Sequence, residues 1–324
     1  MKNYHFSLLS RYRGECMGFA MLAVMIAHSH HFGVHYPGPI AKLMGLGMFS
    51  VYIFMILSGL GMKFALKKES EGFLKKRLIR ILPSYLIIAV PMLWIIDVVM
   101  DGKGIGSYLL DLSLISFWLG GESFWYVAIQ LVSYILIPIH DRLRKRFGTW
   151  FNAAVLVFSI VIGHVLREHG IESFGTFFQF FSAFIGGYWL ADAVEKDTSI
   201  PVILVIPMFL FVWAKSFLNV PEYHMLVSLS FALSGLGVCI LLGWILDTFG
   251  LEKLRKGLRF FGTFTLEGYM MNVSLCWIAW RLKPLWEGTI SIHFIYWGFC
   301  MVFAMILACA VHMVSEKIVK PLLV

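Results

Sequence analysis

Long uninterrupted apolar stretches recur along this chain, and they constrain its fold more than any other feature. Hydrophobic residues make up 59% of the 324 residues and charged residues only 14%, more apolar surface than one soluble core of this size buries. A helix needs about 20 apolar residues to cross a membrane. A weaker apolar segment at 105–119 either lies at the membrane interface or re-enters. The sequence predicts ten membrane-spanning helices, at residues 14–34, 45–66, 80–100, 122–140, 150–167, 173–193, 200–217, 225–246, 260–281 and 291–314.

The positive charges support this count and predict an orientation. Of the 27 lysines and arginines, 21 fall in one alternate set of loops and six in the other. Because loops rich in Lys and Arg stay on the cytoplasmic side, both termini are expected in the cytoplasm. Topology and contact with membrane lipids thus explain the net charge of +8, which does not indicate a nucleic-acid partner. We expect an all-α polytopic bundle that forms a single transmembrane domain over residues 1–324, without a soluble domain.

The first apolar run ends in a histidine at an unexpected depth. The twelve residues from Cys16 to Ala27 are too few to span, so a spanning helix must include His28. An ionisable group at that depth is costly and usually faces the protein interior or a wet cavity. One interpretation is a general base, with Glu15 at the acidic start of the same helix. The other is an interfacial histidine that caps the helix, and position alone leaves both open.

The neighbouring histidines and the cysteines do not indicate a metal site. His30, His31 and His35 follow on the outer side, but no cysteine or carboxylate lies nearby, so a solvated rim is favoured over zinc binding. The five cysteines lie in apolar segments without a CxxC pair. We therefore expect free core thiols and no metal cofactor.

Two arginines lead into the third span. Arg77 and Arg80 are three residues apart and share one face of a helix. Two guanidinium groups on one face suit phosphate, which they bind by forked hydrogen bonds. The simpler alternative is an anchor for lipid headgroups.

Other spans carry polar or aromatic residues that suit either a substrate or helix packing. Ser58 lies in a Leu-Ser-Gly-Leu-Gly stretch, for which close helix packing is favoured over room for a substrate. Glu267 lies deep enough in the ninth span to need a partner, and the arginines at 13, 77 and 80 are candidates. Aromatic and carboxylate groups facing one vestibule would suit carbohydrate, although an interfacial aromatic belt has the same composition. The remaining candidates are Glu122, Trp125 and Tyr126 at the outer entry of the fourth span, and Tyr269 and Asn272 in the ninth.

Taken in order, these segments resemble acyltransferase family 3, the multi-span membrane enzymes that O-acylate surface glycans. The resemblance covers most of the chain and is carried by residues 15–28, 54–59, 77–83 and 265–269, and by Trp125-Tyr126 with Tyr134 and Pro138. It implies an acyl-coenzyme A donor, usually acetyl-coenzyme A, and a glycan or lipid-linked sugar as acceptor. It also implies a bacterial cytoplasmic (inner) membrane, a catalytic role for His28 and Glu15, and donor binding by Arg77, Arg80 and Arg13. The substrate-binding candidates are then Ser58, Glu122, Trp125, Tyr126, Glu267, Tyr269 and Asn272.

Two positions depart from the family pattern. The family commonly has an arginine about ten residues before the histidine, where this chain has Met17-Gly18 and the nearest arginine is Arg13. Many members have a histidine where this chain has Asn272. Because His28, Arg77 and Arg80 remain, we interpret the chain as an active variant.

A second class of function stays open on the residues alone. A transporter that exports a polysaccharide unit or a small metabolite would also use many spans and intramembrane polar residues. Against it, the first span carries no series of proton-relay residues, and the two halves of the chain have no matching pair of short, broken spans. A protein without catalysis would tolerate the loss of His28.

Overall fold

The structure is a computed structural model that describes residues 3–36, 38, 47, 49–68, 72–121, 123–210, 225–286 and 290–323. Strands β1 (Asn3–His5) and β2 (Ser199–Pro201) pair antiparallel, with Tyr4 opposite Ile200. Short 3-10 helices cover His28–Phe32 and Val202–Leu204, and a π-helix covers Trp94–Met100. The α-helices are α1 (Ser7–Arg11), α2 (Arg13–Ala27), α3 (Phe49–Lys68), α4 (Phe73–Leu93), α5 (Ile105–Leu112), α6 (Ile115–Trp118), α7 (Trp125–Phe147), α8 (Trp150–Glu168), α9 (Glu172–Glu195), α10 (Met225–Phe249), α11 (Glu252–Thr263), α12 (Thr265–Trp286) and α13 (Ile290–Leu322).

Five helices within the described residues are long and apolar enough to cross a membrane: Phe49–Lys68, Phe73–Met100, Trp150–Glu168, Met225–Phe249 and Ile292–Leu322. The prediction of an all-α membrane protein is thus confirmed, apart from the small β1–β2 sheet. Four more predicted spans overlap α2, α7, α9 and α12, with ends that differ by up to seven residues. The count of ten spans and the orientation of the termini stay predictions.

Several predicted boundaries were wrong. The span at 200–217 starts in β2 and a 3-10 turn, and its residues 211–217 lie outside the described part of the chain. The span at 260–281 starts instead at Thr265, because residues 252–263 form the separate helix α11. Helix α11 is amphipathic: it buries Leu258 and exposes Lys253 and Lys256.

The chain divides into two compact units, each assembled from three stretches of sequence. Unit 1 comprises Met1–Ala20, Met48–Phe73 and Ile129–Thr263, and unit 2 comprises Met21–Gly47, Leu74–Ala128 and Phe264–Val324. In unit 1, α9 packs against α3 and α8. Four of the five cysteines are buried and all five are free, as expected.

Two glycines bring α3 and α9 of unit 1 into backbone contact. A methyl group on Gly59 would lie 1.9 Å from the carbonyl oxygen of Phe184, and one on Gly187 would lie 1.9 Å from that of Ile56. Helices approach this closely only where both lack side chains. Gly59 of the Leu-Ser-Gly-Leu-Gly stretch is therefore a packing residue.

Ion pairs connect the C-terminal ends of α3 and α9. Lys63, which is buried, pairs with Asp192, and Asp192 also accepts a hydrogen bond of 3.2 Å from Arg144. On the next turn, Lys67 pairs with Glu195 at 3.2 Å. Because a buried charge is tolerated only when it is paired, these contacts fix the register of α3 against α9.

In unit 2, α4 and its π-helical extension run parallel to α12. Ser84 of α4 contacts Glu267 of α12, and further along both helices Asp101 contacts Arg281. The two contacts lie 17 residues apart along α4 and its extension and 14 residues apart along α12, in the same order. The two helices therefore run in the same direction. Helix α5 instead runs back along α4, because Tyr85 donates to the carbonyl of Leu112 and Tyr108 donates to that of Val90.

The α3–α9 contact gives a matched pair of substitutions at neighbouring positions. Gly187→Ala places a methyl group against the backbone of α3 and is expected to lower the free energy of unfolding by about 1–3 kcal/mol or more. Gly186→Ala meets only a side-chain carbon of Leu156 at 3.6 Å, so it is expected to be neutral or to stabilise by up to about 1 kcal/mol. Thermal unfolding in detergent measures both, and equal effects would contradict the backbone contact.

The contact between Asp101 and Arg281 predicts a pH dependence. Arg281 donates hydrogen bonds of 2.5 and 2.6 Å to the carboxylate, and this pairing lowers the pKa of Asp101. A lowered pKa stabilises the folded state above the unfolded value of about 3.9, and this stability is lost as the pH falls through the folded value. Arg281→Gln should therefore be less stable than the wild type at neutral pH, with a gap that narrows below about pH 4.

Thermal midpoints between neutral pH and about pH 3 measure that gap. Arg281→Lys keeps the positive charge but not the forked pair of hydrogen bonds. Its thermal midpoint at neutral pH is expected to lie between those of the wild type and of Arg281→Gln. A gap that stays constant over the whole range would assign the loss to packing.

Candidate active site

His28 stands at a change of backbone geometry. Helix α2 ends at Ala27, and His28 opens a 3-10 helix that Gly33 closes in the left-handed conformation, with φ 73°. His293 of α13 packs directly over Gly33 and its Nδ1 lies 2.9 Å from the carbonyl oxygen of Phe32. A methyl group on Gly33 would lie 2.2 Å from that nitrogen. Both the turn and the close approach therefore require glycine.

His28 is paired with Asn272 of α12. The distance from His28 Nδ1 to Asn272 Oδ1 is 2.6 Å, and Asn272 is fully buried. The Asn272 amide nitrogen donates to the sulfur of Met301 at 3.2 Å. Since Nδ1 is engaged, Nε2 is the ring nitrogen that remains for chemistry. The arrangement matches that of a histidine base oriented by an amide.

Glu267 is the centre of a second polar cluster in unit 2. It is 5% exposed, and its Oε1 accepts a hydrogen bond of 2.6 Å from Ser84 and lies 3.2 Å from Nδ1 of His312. These partners differ from the arginines expected from the sequence. His312 was not predicted from the sequence, although a histidine within a predicted span is the same signal that singled out His28.

Arg77, Arg80 and Ser84 are spaced along one face of α4. Ser84 follows Arg80 by four residues and contacts Glu267, which precedes Asn272 by five residues on the parallel helix α12. The four residues from Arg80 to Ser84 and the five from Glu267 to Asn272 make nine residues of helix. At 1.5 Å per residue, Asn272 lies about 13 Å further along the helix axes than Arg80. The two arginines and the His28–Asn272 pair thus lie at different depths of one unit, with the Glu267 cluster between them.

The aromatic candidates Trp125 and Tyr126 form one group with Tyr269 of α12. Tyr126 packs edge-on against Tyr269, with ring centroids 5.2 Å apart, and Trp125 packs edge-on against Tyr126 at 6.2 Å. Tyr269 is only two residues from Glu267 in α12. Glu122, which precedes this aromatic group, lies outside the described residues.

The other three candidates belong to unit 1. Arg13 Nε donates to the carbonyl of Leu57 at 3.1 Å, and its guanidinium fills the space left by Gly61. Ser58 and Glu15 are both buried, at 5% and 2% exposure. Unit 2 contains the remaining described candidates.

Helices long and apolar enough to cross a membrane, together with a partly buried histidine paired with a buried amide, are the features of a membrane enzyme with a candidate general base. The acyltransferase family 3 model, described as an acyltransferase domain, matches residues 18–314. The chain therefore belongs to this family and is an acyltransferase. No curated protein and no solved structure matches the chain.

The Glu267 cluster gives a test of buried hydrogen bonding. Ser84→Ala removes a donor to a carboxylate and is expected to lower the free energy of unfolding by about 1.5–3 kcal/mol. Ser315→Ala is the matched control, because this buried serine donates only to the backbone carbonyl of His312, at 3.0 Å. Its loss should cost about 1 kcal/mol. Equal losses in thermal unfolding would show that Ser84 contributes nothing specific to Glu267.

Proposed function

We propose that this acyltransferase moves an acyl group, in the first instance acetyl, from acyl-coenzyme A to a hydroxyl of a cell-surface glycan or a lipid-linked sugar. The proposed setting is the bacterial cytoplasmic membrane, with the donor entering from the cytoplasm. The observation that carries the proposal is the alignment of Arg80, the Glu267 cluster and the His28–Asn272 pair along two parallel helices.

The donor fits this alignment by length and by charge. Coenzyme A has phosphates at one end and a thiol at the other, joined by the pantetheine arm. About twelve bonds separate the phosphate from the sulfur, which is the length of about four extended residues, or about 14 Å. This length is close to the separation of about 13 Å between the Arg80 and Asn272 levels. Arg77 and Arg80 would bind the phosphates, and the thioester would reach His28.

His28 would act as the general base of the transfer. Its Nε2 takes the proton of the acceptor hydroxyl while the hydroxyl oxygen attacks the thioester carbon. The new C–O ester bond forms, the C–S bond breaks, and the electron pair leaves on the coenzyme A sulfur. The proton then passes from Nε2 to that thiolate, so the products are an ester and free coenzyme A. Direct attack and transfer through an acylated His28 both satisfy this balance.

The aromatic group suits the acceptor. Trp125, Tyr126 and Tyr269 would supply aromatic rings and two hydroxyls, groups that suit the apolar faces and the hydroxyls of sugars. Tyr269 precedes Asn272 by three residues and shares its face of α12. An acceptor at these rings would lie beside His28. Glu122 and Ser58 remain further acceptor candidates, and Arg13 and Glu15 remain donor-side and catalytic candidates.

Membranes containing the chain, supplied with radiolabelled acetyl-coenzyme A and envelope glycans, test the proposal. Wild type should transfer label to glycan, and His28→Ala should lose at least about 100-fold in rate, as expected for the loss of a general base. Arg77→Ala/Arg80→Ala should raise the KM for the donor. Lys75→Ala/Lys76→Ala is the matched control, since it removes the same charge from the same turns and should leave KM nearly unchanged.

The outcomes separate the parts of the proposal. If both double variants raised the KM for the donor equally, the arginines would contribute only general electrostatic attraction and not a specific phosphate site. Full activity of His28→Ala would remove His28 as the base. No labelling by the wild type with acetyl or longer acyl donors, and with host glycans as acceptors, would overturn the donor and acceptor assignment.

A further inference from the structure

Asn272 can orient His28 in only one of two ways, and the choice decides the chemistry. An amide presents either its oxygen or its nitrogen to the imidazole, and the imidazole carries its proton on either Nδ1 or Nε2. If the amide oxygen faces Nδ1, the proton is on Nδ1 and Nε2 has a free electron pair. If the amide nitrogen faces Nδ1, the proton moves to Nε2, which then cannot act as a base.

The group on the other side of Asn272 resolves this choice. Met301 lies 3.2 Å from the amide nitrogen of Asn272. A thioether sulfur accepts hydrogen bonds but has no hydrogen to donate. The amide nitrogen therefore has to face Met301, because the reverse orientation would bring the amide oxygen against the sulfur. The amide oxygen is then left for His28, at 2.6 Å.

We propose that Met301 is a positioning residue that sets the tautomer of His28 through the orientation of the Asn272 amide. Its meaning for catalysis rests on the proposed role of His28 as the base. Asn272 is fully buried and Met301 is 9% exposed, so water does not compete effectively for either contact. The Met301 sulfur, which can only accept a hydrogen bond, thus determines the orientation of the Asn272 amide and through it the protonated nitrogen of His28.

The helix that carries Met301 is held against the His28 segment by residues on the same face. His293, Trp297 and Met301 are spaced four residues apart and form one stripe of α13. His293 contacts the carbonyl oxygen of Phe32, and the Trp297 ring nitrogen donates to that of Met25 at 3.4 Å. These contacts flank His28 in the chain, so the height of Met301 relative to Asn272 is fixed at two further points.

Nitrogen-15 NMR of the full-length protein in detergent tests the tautomer without any need for activity. With labelled histidine at about pH 8.5, where imidazoles are neutral, the His28 signals are assigned by their loss in His28→Gln. The wild type should show a protonated Nδ1 and an unprotonated Nε2. A protonated Nε2 in the wild type would overturn the proposal, whatever the enzyme's activity.

Met301→Leu removes the acceptor while keeping the volume nearly constant. His28 should then populate both tautomers, and kcat should fall roughly two- to ten-fold, the value of one hydrogen bond, with KM for the donor unchanged. Met21→Leu is the matched control, because Met21 is also a buried methionine of unit 2 and packs against Gly268 instead of an amide. It should change neither the tautomer nor kcat.

The two measurements also separate this inference from the proposed function. A pure Nδ1-protonated tautomer in correctly folded Met301→Leu would overturn the role of Met301, even with an active wild type. A tautomer shift without any acyl transfer by the wild type would support the role of Met301 in positioning and count against the proposed donor and acceptor. Melting temperatures and size-exclusion profiles establish that each variant is folded. The test of the wild-type tautomer does not depend on the stability of Met301→Leu.

Discussion

A polar side chain inside an apolar helix has to find its partner on another helix, and unit 2 is organised by that requirement. Glu267 accepts a hydrogen bond from Ser84 of α4 and contacts His312 of α13, so three helices meet at this carboxylate. Asp101 and Arg281 join α4 and α12 again near their other ends. The two contacts together fix both the position and the direction of the helices. The separation of Arg80 and Asn272 along the helix axes follows from this alignment, and the proposed binding of the donor rests on that separation.

The helices could be predicted from the sequence because length and apolar composition are local properties of a segment. Helices α3, α8 and α10 form where long apolar runs stand in the sequence. Their ends depend on distant residues and could not be predicted. The turn that begins at His28 ends at Gly33, where His293 packs against the glycine. His293 lies 260 residues after Gly33 and is its neighbour only in the folded chain. The separation of α11 from α12 was missed because the apolar residues of α11 adjoin the run that follows.

The site could be predicted in part, and the part that failed has a physical reason. The cost of placing an ionisable group in a membrane singled out His28 and Glu267 from their positions alone. The same cost applies to His312. The sequence does not point to Met301, because a methionine in an apolar helix is normal packing, and its proposed role comes from the amide that its sulfur meets. Asn272 was predicted as a substrate-binding candidate and as a departure from a family pattern, whereas in the structure it is the partner of His28.

A neutral amide beside His28 has a consequence that a carboxylate would not have. Asn272 can fix the orientation and the tautomer of the imidazole, but it cannot stabilise an imidazolium by charge. The proposed reaction suits such a site, since the proton that His28 takes from the hydroxyl is returned to the coenzyme A sulfur within the same turnover. The imidazolium is then a short-lived species that needs no permanent counter-ion and no path to solvent. A thioester is also a reactive donor, so a base of ordinary strength suffices when both reactants are held beside it.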